Sequence, residues 1–139
     1  MSSTETAIDS GQGQPRVLIA EDEPVFRRVI SFTLQRQGFQ VTAVPNGAEA
    51  WERLNSEPFD AMVTDHQMPG GSGIELLEKV RASDLFGKFP IILCTAKGLE
   101  LDAGYLIERF GLVTVLHKPF SPQRLAKLLS ESQATSGTP

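Results

Sequence analysis

Five short runs of consecutive apolar residues divide this chain: Val17-Ala20, Val41-Val44, Ala61-Thr64, Ile91-Cys94 and Val113-Leu116. They are continuous instead of alternating, the pattern of strands buried on both faces. Segments of helical length separate them, so the chain reads as a repeated strand-helix unit. That predicts an α/β fold, a doubly wound (βα)5 three-layer sandwich with a parallel sheet.

The helix boundaries carry their own signals. Pro24 can open the first helix, where its missing N–H costs nothing, and Gly38 can close it in the left-handed conformation. Asn46 with Glu49 and Ser72 with Glu75 have capping-box spacing, and Ser121-Pro122 marks the last helix. Five helices are expected near 24–37, 47–55, 73–82, 97–110 and 122–130. The first has an unusually wide apolar face, built from Val25, Phe26, Val29, Ile30, Phe32 and Leu34. That face serves deep packing, or its rim around Val25 and Phe32 is a docking surface.

Residues 1–14 are rich in Ser, Thr, Gly and Gln, without the apolar stretch of a secretory signal, and read as a disordered tail. Residues 131–139 read the same way, which leaves 15–130 as one folded domain among 139 residues. With 40% hydrophobic and 22% charged residues, neither global disorder nor a membrane span is expected. The net charge of -4 and scattered basic residues argue against direct nucleic-acid binding. The single cysteine, Cys94, suits a reducing cytoplasm and reads as a small core residue.

Polar groups stand where the apolar runs stop: Glu21-Asp22, Asp65, Thr95 and Lys118. In an open parallel sheet the carboxyl ends of the strands form the ligand crevice. In the order 2-1-3-4-5, the flavodoxin-like winding, Asp65 is central, with Glu21-Asp22 and Thr95 on strands about 5 Å to either side. Lys118 starts about 10 Å away, a distance a long side chain can cross. Three carboxylates so close raise the pKa of at least one unless a cation joins them, and an oxygen-only donor set suits Mg²⁺. Asp65 could then attack a phosphoryl group and form an acyl phosphate, with Lys118 and the Thr95 hydroxyl neutralising charge.

Glu21-Asp22-Glu23-Pro24, Asp65-His66-Gln67-Met68-Pro69, Thr95-Ala96 and Lys118-Pro119-Phe120, in this order, resemble the receiver domain of two-component response regulators over about residues 16 to 130. The resemblance implies that Asp65 is the phosphoacceptor, charged by a phosphohistidine of a histidine kinase or histidine phosphotransfer protein. It implies that Asp22, Asp65 and the backbone carbonyl of Gln67 bind Mg²⁺, with Glu21 acting largely through water. Thr95 and Lys118 would hold the phosphoryl oxygens, and Lys118-Pro119 matches a bond that is cis in many receivers. A face of helix 4, strand 5 and helix 5 would meet the target, with Tyr105, Phe110 and Phe120 as its largest apolar candidates, or as core. Gln67 and Lys97 would flank the water that attacks the acyl phosphate, and neither is a good general base.

Two departures stand out. Val115 occupies a position where receivers often carry Tyr or Phe, so an aromatic-rotation switch does not carry over. Gly70-Gly71-Ser72-Gly73 replaces a bulkier, more acidic loop. Glu23 reads as a solvated neighbour of the acidic pair, His66 points away from Asp65 by alternation, and His117 reads as structural or exposed. An aspartyl-nucleophile phosphatase is the enzymatic alternative, though Gln67 stands where it would need an acid. A flavin carrier would need a phosphate loop that the acidic Glu21-Asp22-Glu23 opposes. A binding module independent of phosphorylation is the third reading. No DNA-binding or catalytic segment is legible after residue 130, which leaves a stand-alone receiver or an excerpt of a longer regulator or hybrid kinase whose downstream target or output domain lies elsewhere.

Overall fold

Strands and helices alternate strictly along the chain in the computed structural model, which describes residues 13–83, 89–96 and 102–136. The strands are β1 (Arg16–Ala20), β2 (Gln40–Val44), β3 (Ala61–Asp65), β4 (Ile91–Thr95) and β5 (Thr114–His117). The helices are α1 (Pro24–Arg36), α2 (Gly47–Ser56), α3 (Gly73–Ala82), α4 (Ala103–Phe110) and α5 (Pro122–Ser136). All pairings are parallel and the order is β2-β1-β3-β4-β5, the winding expected from the sequence.

Two apolar layers explain the continuous runs. Val17, Ile19, Ala61, Val63, Ile92 and Cys94 face Ile30 and Leu34 of α1 and Leu125 and Leu129 of α5. Their neighbours Leu18, Ala20, Met62, Ile91 and Leu93 face the opposite layer, with Leu76, Leu77 and Val80 of α3. Because successive side chains point to opposite faces, a strand covered on both sides must be apolar at every position. The edge strands β2 and β5 are the exceptions: Gln40, Ala43 and His117 are exposed, since an edge strand has cover on fewer sides.

The helix starts use the expected side chains and two more. Asn46 accepts from the Glu49 N–H at 2.9 Å, and Ser72 and Glu75 form a reciprocal capping box. Glu23 is no mere solvated neighbour, because its carboxylate caps α1 by accepting from the Phe26 N–H at 2.9 Å. Asp102 caps α4, so this helix starts later than the expected 97–110; residues 97–101, with Lys97, lie outside the described residues.

At the other end of the chain, α5 runs to Ser136, so residues 131–136 of the expected disordered tail over 131–139 are helical instead. Small polar residues suit the solvated side of a helix as well as a loose tail. Here Ser132 donates to the Leu129 carbonyl and the Gln133 amide to the Asp60 carbonyl, so the segment continues the helix. Residues 1–12 and 137–139 lie outside the described residues. Among the described residues, no helix is long and apolar enough to cross a membrane.

Candidate functional site

Parallel register brings the ends of four strands to one edge. Ala20 of β1 pairs with Thr64 of β3, Asp65 with Cys94 of β4, and Thr95 with His117 of β5. The residues that follow or end these strands are therefore Glu21-Asp22, Asp65, Thr95 and Lys118. Lys118 reaches across two strands: its Nζ lies 3.2 Å from Asp65 Oδ1 and 2.9 Å from Glu21 Oε1. Glu21 is 2% exposed and both its oxygens are engaged, Oε2 accepting from the Glu23 N–H at 3.1 Å. The Arg27 guanidinium donates to the Glu21 backbone carbonyl at 2.7 Å, tying the first turn of α1 to the acidic loop.

The electrostatics follow from this crowding. Burial first, and then the charge of Glu21, push the Asp65 carboxyl up to about 6 against the pull of Lys118. Burial alone would lower the Lys118 ammonium, but its hydrogen bond and charge attraction to Glu21, with attraction to Asp65, leave it raised. Lys118 is therefore cationic at neutral pH. The two residues form a primed pair: a buried carboxylate reluctant to ionise and a fixed cation beside it.

Among the described residues, two buried side-chain atoms lack any protein partner: Thr95 Oγ1 and His66 Nδ1. A buried hydroxyl left without an acceptor or donor is costly, and one at the strand edge beside Asp65 is available to an incoming oxygen. His66 is half-buried, and burial lowers its pKa, so its ring is neutral at neutral pH. Ligand oxygens of Glu21, Asp22 and Asp65 all lie within 4.8 Å of one another, a spacing one cation can span. Oxygen-only donors, few in number, fit a small hard cation that keeps several waters.

The loop after β3 is set by backbone contact. Gly73 donates its N–H to the His66 carbonyl at 2.9 Å, and a Cβ at Gly73 would land on the Asp65 carbonyl oxygen. Gly47 packs so tightly that a Cβ there would come within 2.8 Å of the Gly71 carbonyl. Gly73→Ala is therefore expected to cost roughly 1–3 kcal/mol, because backbone, not a flexible side chain, must move. Urea denaturation measures this, and a midpoint equal to wild type would contradict the close approach.

Residues 17–130 match the family described as response regulator receiver domain. The chain belongs to this family. The receiver is 34% identical to chemotaxis protein CheY1 of Helicobacter pylori strain J99, over 82% of this chain and 93% of the relative. It is 37% identical to two-component response regulator ORR5 of Oryza sativa subsp. japonica, over 85% of this chain and 88% of the relative. Another relative, the probable transcriptional regulator ycf29 of Porphyra purpurea, is 38% identical over 81% of this chain, which spans only 54% of it. Among solved structures, Vibrio cholerae chemotaxis protein CheY4 superposes with a TM-score of 0.77 at 28% identity, covering 86% of this receiver and 98% of that chain.

The Lys118-Pro119 peptide is cis, as the resemblance implied. Val115 is buried among Leu106, Phe110 and Leu112, with an aliphatic side chain where many receivers carry a ring. Of the three apolar candidates for the target face, Phe110 is core, Phe120 is partly buried and Tyr105 is 55% exposed. The wide face of α1 divides likewise: Ile30 and Leu34 are buried, whereas Val25 and Phe32 stand 63% and 59% exposed. Sequence reasoning missed Phe26, whose ring centroid lies 5.1 Å from Lys118 Nζ. The signal was present as a large apolar residue in the first turn of α1, and it read as core.

Proposed function

We propose that this receiver is a phosphoacceptor switch in which Asp65 takes a phosphoryl group from a phosphohistidine of a histidine kinase or phosphotransfer protein. The observation that carries this reading is the Lys118 ammonium, held between Asp65 and Glu21 beside a buried Thr95 hydroxyl with no protein partner. An Asp65 carboxylate oxygen forms the new bond to phosphorus. The bond from phosphorus to the donor's imidazole nitrogen breaks, and its electron pair stays on that nitrogen. Lys118 offsets the charge on the equatorial oxygens, and Thr95 donates its hydroxyl hydrogen to one of them.

Asp22, Asp65 and the Gln67 carbonyl would hold Mg²⁺, which supplies charge neutralisation for phosphoryl oxygens and for the clustered acids. Glu21 acts through water in this reading, since Lys118 and the Glu23 N–H already occupy its two oxygens. The exposed stripe of Val25 and Phe32 on α1 receives the phosphodonor protein. The surface around Tyr105, on α4, β5 and α5, meets the downstream partner. A cytoplasmic setting belongs to the same reading.

Incubation with acetyl phosphate and Mg²⁺ tests the chemistry. Intact mass should rise by one phosphoryl group, and chelation of the metal with EDTA should prevent it. No gain in mass with Mg²⁺ present would remove the phosphoacceptor reading.

A further inference from the structure

The reach of Lys118 raises a physical question. Its four-carbon stem is flexible, so where the ammonium sits depends on every group around it. Besides the two carboxylates, the ammonium has a third neighbour within reach. We infer that Phe26 is a positioning residue for the phosphorylation reaction, its ring face holding the Lys118 ammonium against Asp65; this rests on the phosphoacceptor reading above.

Phe26 supplies the third contact. The Lys118 Nζ lies 5.1 Å from the ring centroid, within the distance at which the ring's negative face attracts a cation. The ring is itself braced. Phe120, two residues past Lys118, meets Phe26 edge to face, with centroids 5.4 Å apart and planes at 70°. The backbone of Phe26 is fixed by the Glu23 carboxylate, and the next residue, Arg27, grips the Glu21 carbonyl. The segment that carries the ring is thus bound to the segment that carries the carboxylate partner of the lysine.

A ring suits this task better than a third acid. It attracts the ammonium without adding negative charge to a site where burial, and then the charge of Glu21, already push the Asp65 carboxyl upward. It also has no lone pair aimed at Nζ. The amine can therefore swing from carboxylate to an arriving phosphoryl oxygen while keeping its contact with the ring.

The competing explanation is that Phe26 merely packs against the α1 and α5 layer, which it does touch. Leucine and tyrosine separate the two. Phe26→Leu keeps an apolar filler and removes the ring, whereas Phe26→Tyr keeps the ring. With acetyl phosphate and Mg²⁺, Phe26→Leu should take up the phosphoryl group about three- to tenfold more slowly, and Phe26→Tyr should restore a rate near wild type. On a Lys118→Met background, Phe26→Leu should add no further slowing. NMR gives a readout independent of activity: the ε-protons of Lys118 should be shifted upfield by the ring in wild type and in Phe26→Tyr, but not in Phe26→Leu.

A wild-type rate in Phe26→Leu, or equal slowing with and without the lysine, would overturn the role. So would unshifted Lys118 ε-protons in wild type. Absence of any phosphoryl uptake by wild type would instead remove the phosphoacceptor reading, and the positioning role with it.

Discussion

Lys118→Met is expected to slow phosphoryl uptake by Asp65 about a hundredfold while leaving the fold in place. Methionine keeps the apolar length of the side chain and deletes the charge. In wild type that charge touches Asp65 at 3.2 Å and Glu21 at 2.9 Å. Removing it withdraws a preplaced cation from developing negative charge on the phosphoryl oxygens, the kind of loss that costs two to three powers of ten elsewhere. It also removes the main influence that lowers the Asp65 pKa, so the carboxyl moves above about 6 and is less available as a nucleophile at neutral pH. Stopped reactions followed by intact mass measure the rate. A rate within about twofold of wild type would mean that the reaction does not use this cation.

The second large effect concerns stability. Without metal, Asp65→Asn should be more stable than wild type at pH 7 by about 1–3 kcal/mol. Folding raises the Asp65 pKa from 3.8 to about 6. Between those values the folded state binds more protons than the unfolded state, so stability falls as pH rises through the window. The full penalty is present above about pH 6. Asparagine carries no such charge, so its stability should be flatter across the same range. Mg²⁺ should stabilise wild type more than the variant, since binding to the folded state shifts the equilibrium by mass action. Urea denaturation at pH 5 and pH 7, with and without Mg²⁺, reads all of this. Equal stability of the two proteins at pH 7 without metal would show that the carboxylate is not strained.

Much of this architecture was legible because its signals are local and repeated. The continuous runs at Val17-Ala20 and Ile91-Cys94 report cover on both faces, and that pattern alone separates a parallel α/β sheet from an alternating antiparallel one. Caps at Asn46 and Ser72 could be read because the bonding partner lies three residues ahead. The end of α5 was not legible, since Ser130, Ser132 and Gln133 are equally at home in a tail. The bond from Gln133 to the Asp60 carbonyl, across 73 residues, ties the segment to the body of the fold.

The site divides along the same line. Glu21, Asp22, Asp65, Thr95 and Lys118 could be nominated from strand ends, because topology gathers all such ends at one edge. What topology leaves open is how side chains share a cation. The paired contacts of Lys118 with Glu21 and Asp65, the cap by Glu23 and the ring of Phe26 all depend on rotamers and helix phase. Phe26 shows the difficulty: one position in an apolar stripe carries no mark that distinguishes a ring facing a cation from a ring in the core.

The phosphoacceptor reading rests on the carboxylate of Asp65 as the group that acquires phosphate. Borohydride reduction of the phosphorylated protein, followed by peptide mass mapping, tests it directly, because an acyl phosphate is reduced to the alcohol while phosphate esters are untouched. Homoserine is expected at position 65, with no phosphate left on that peptide. Phosphate that survives reduction on a serine, threonine or histidine, with an unaltered aspartate at 65, would contradict it.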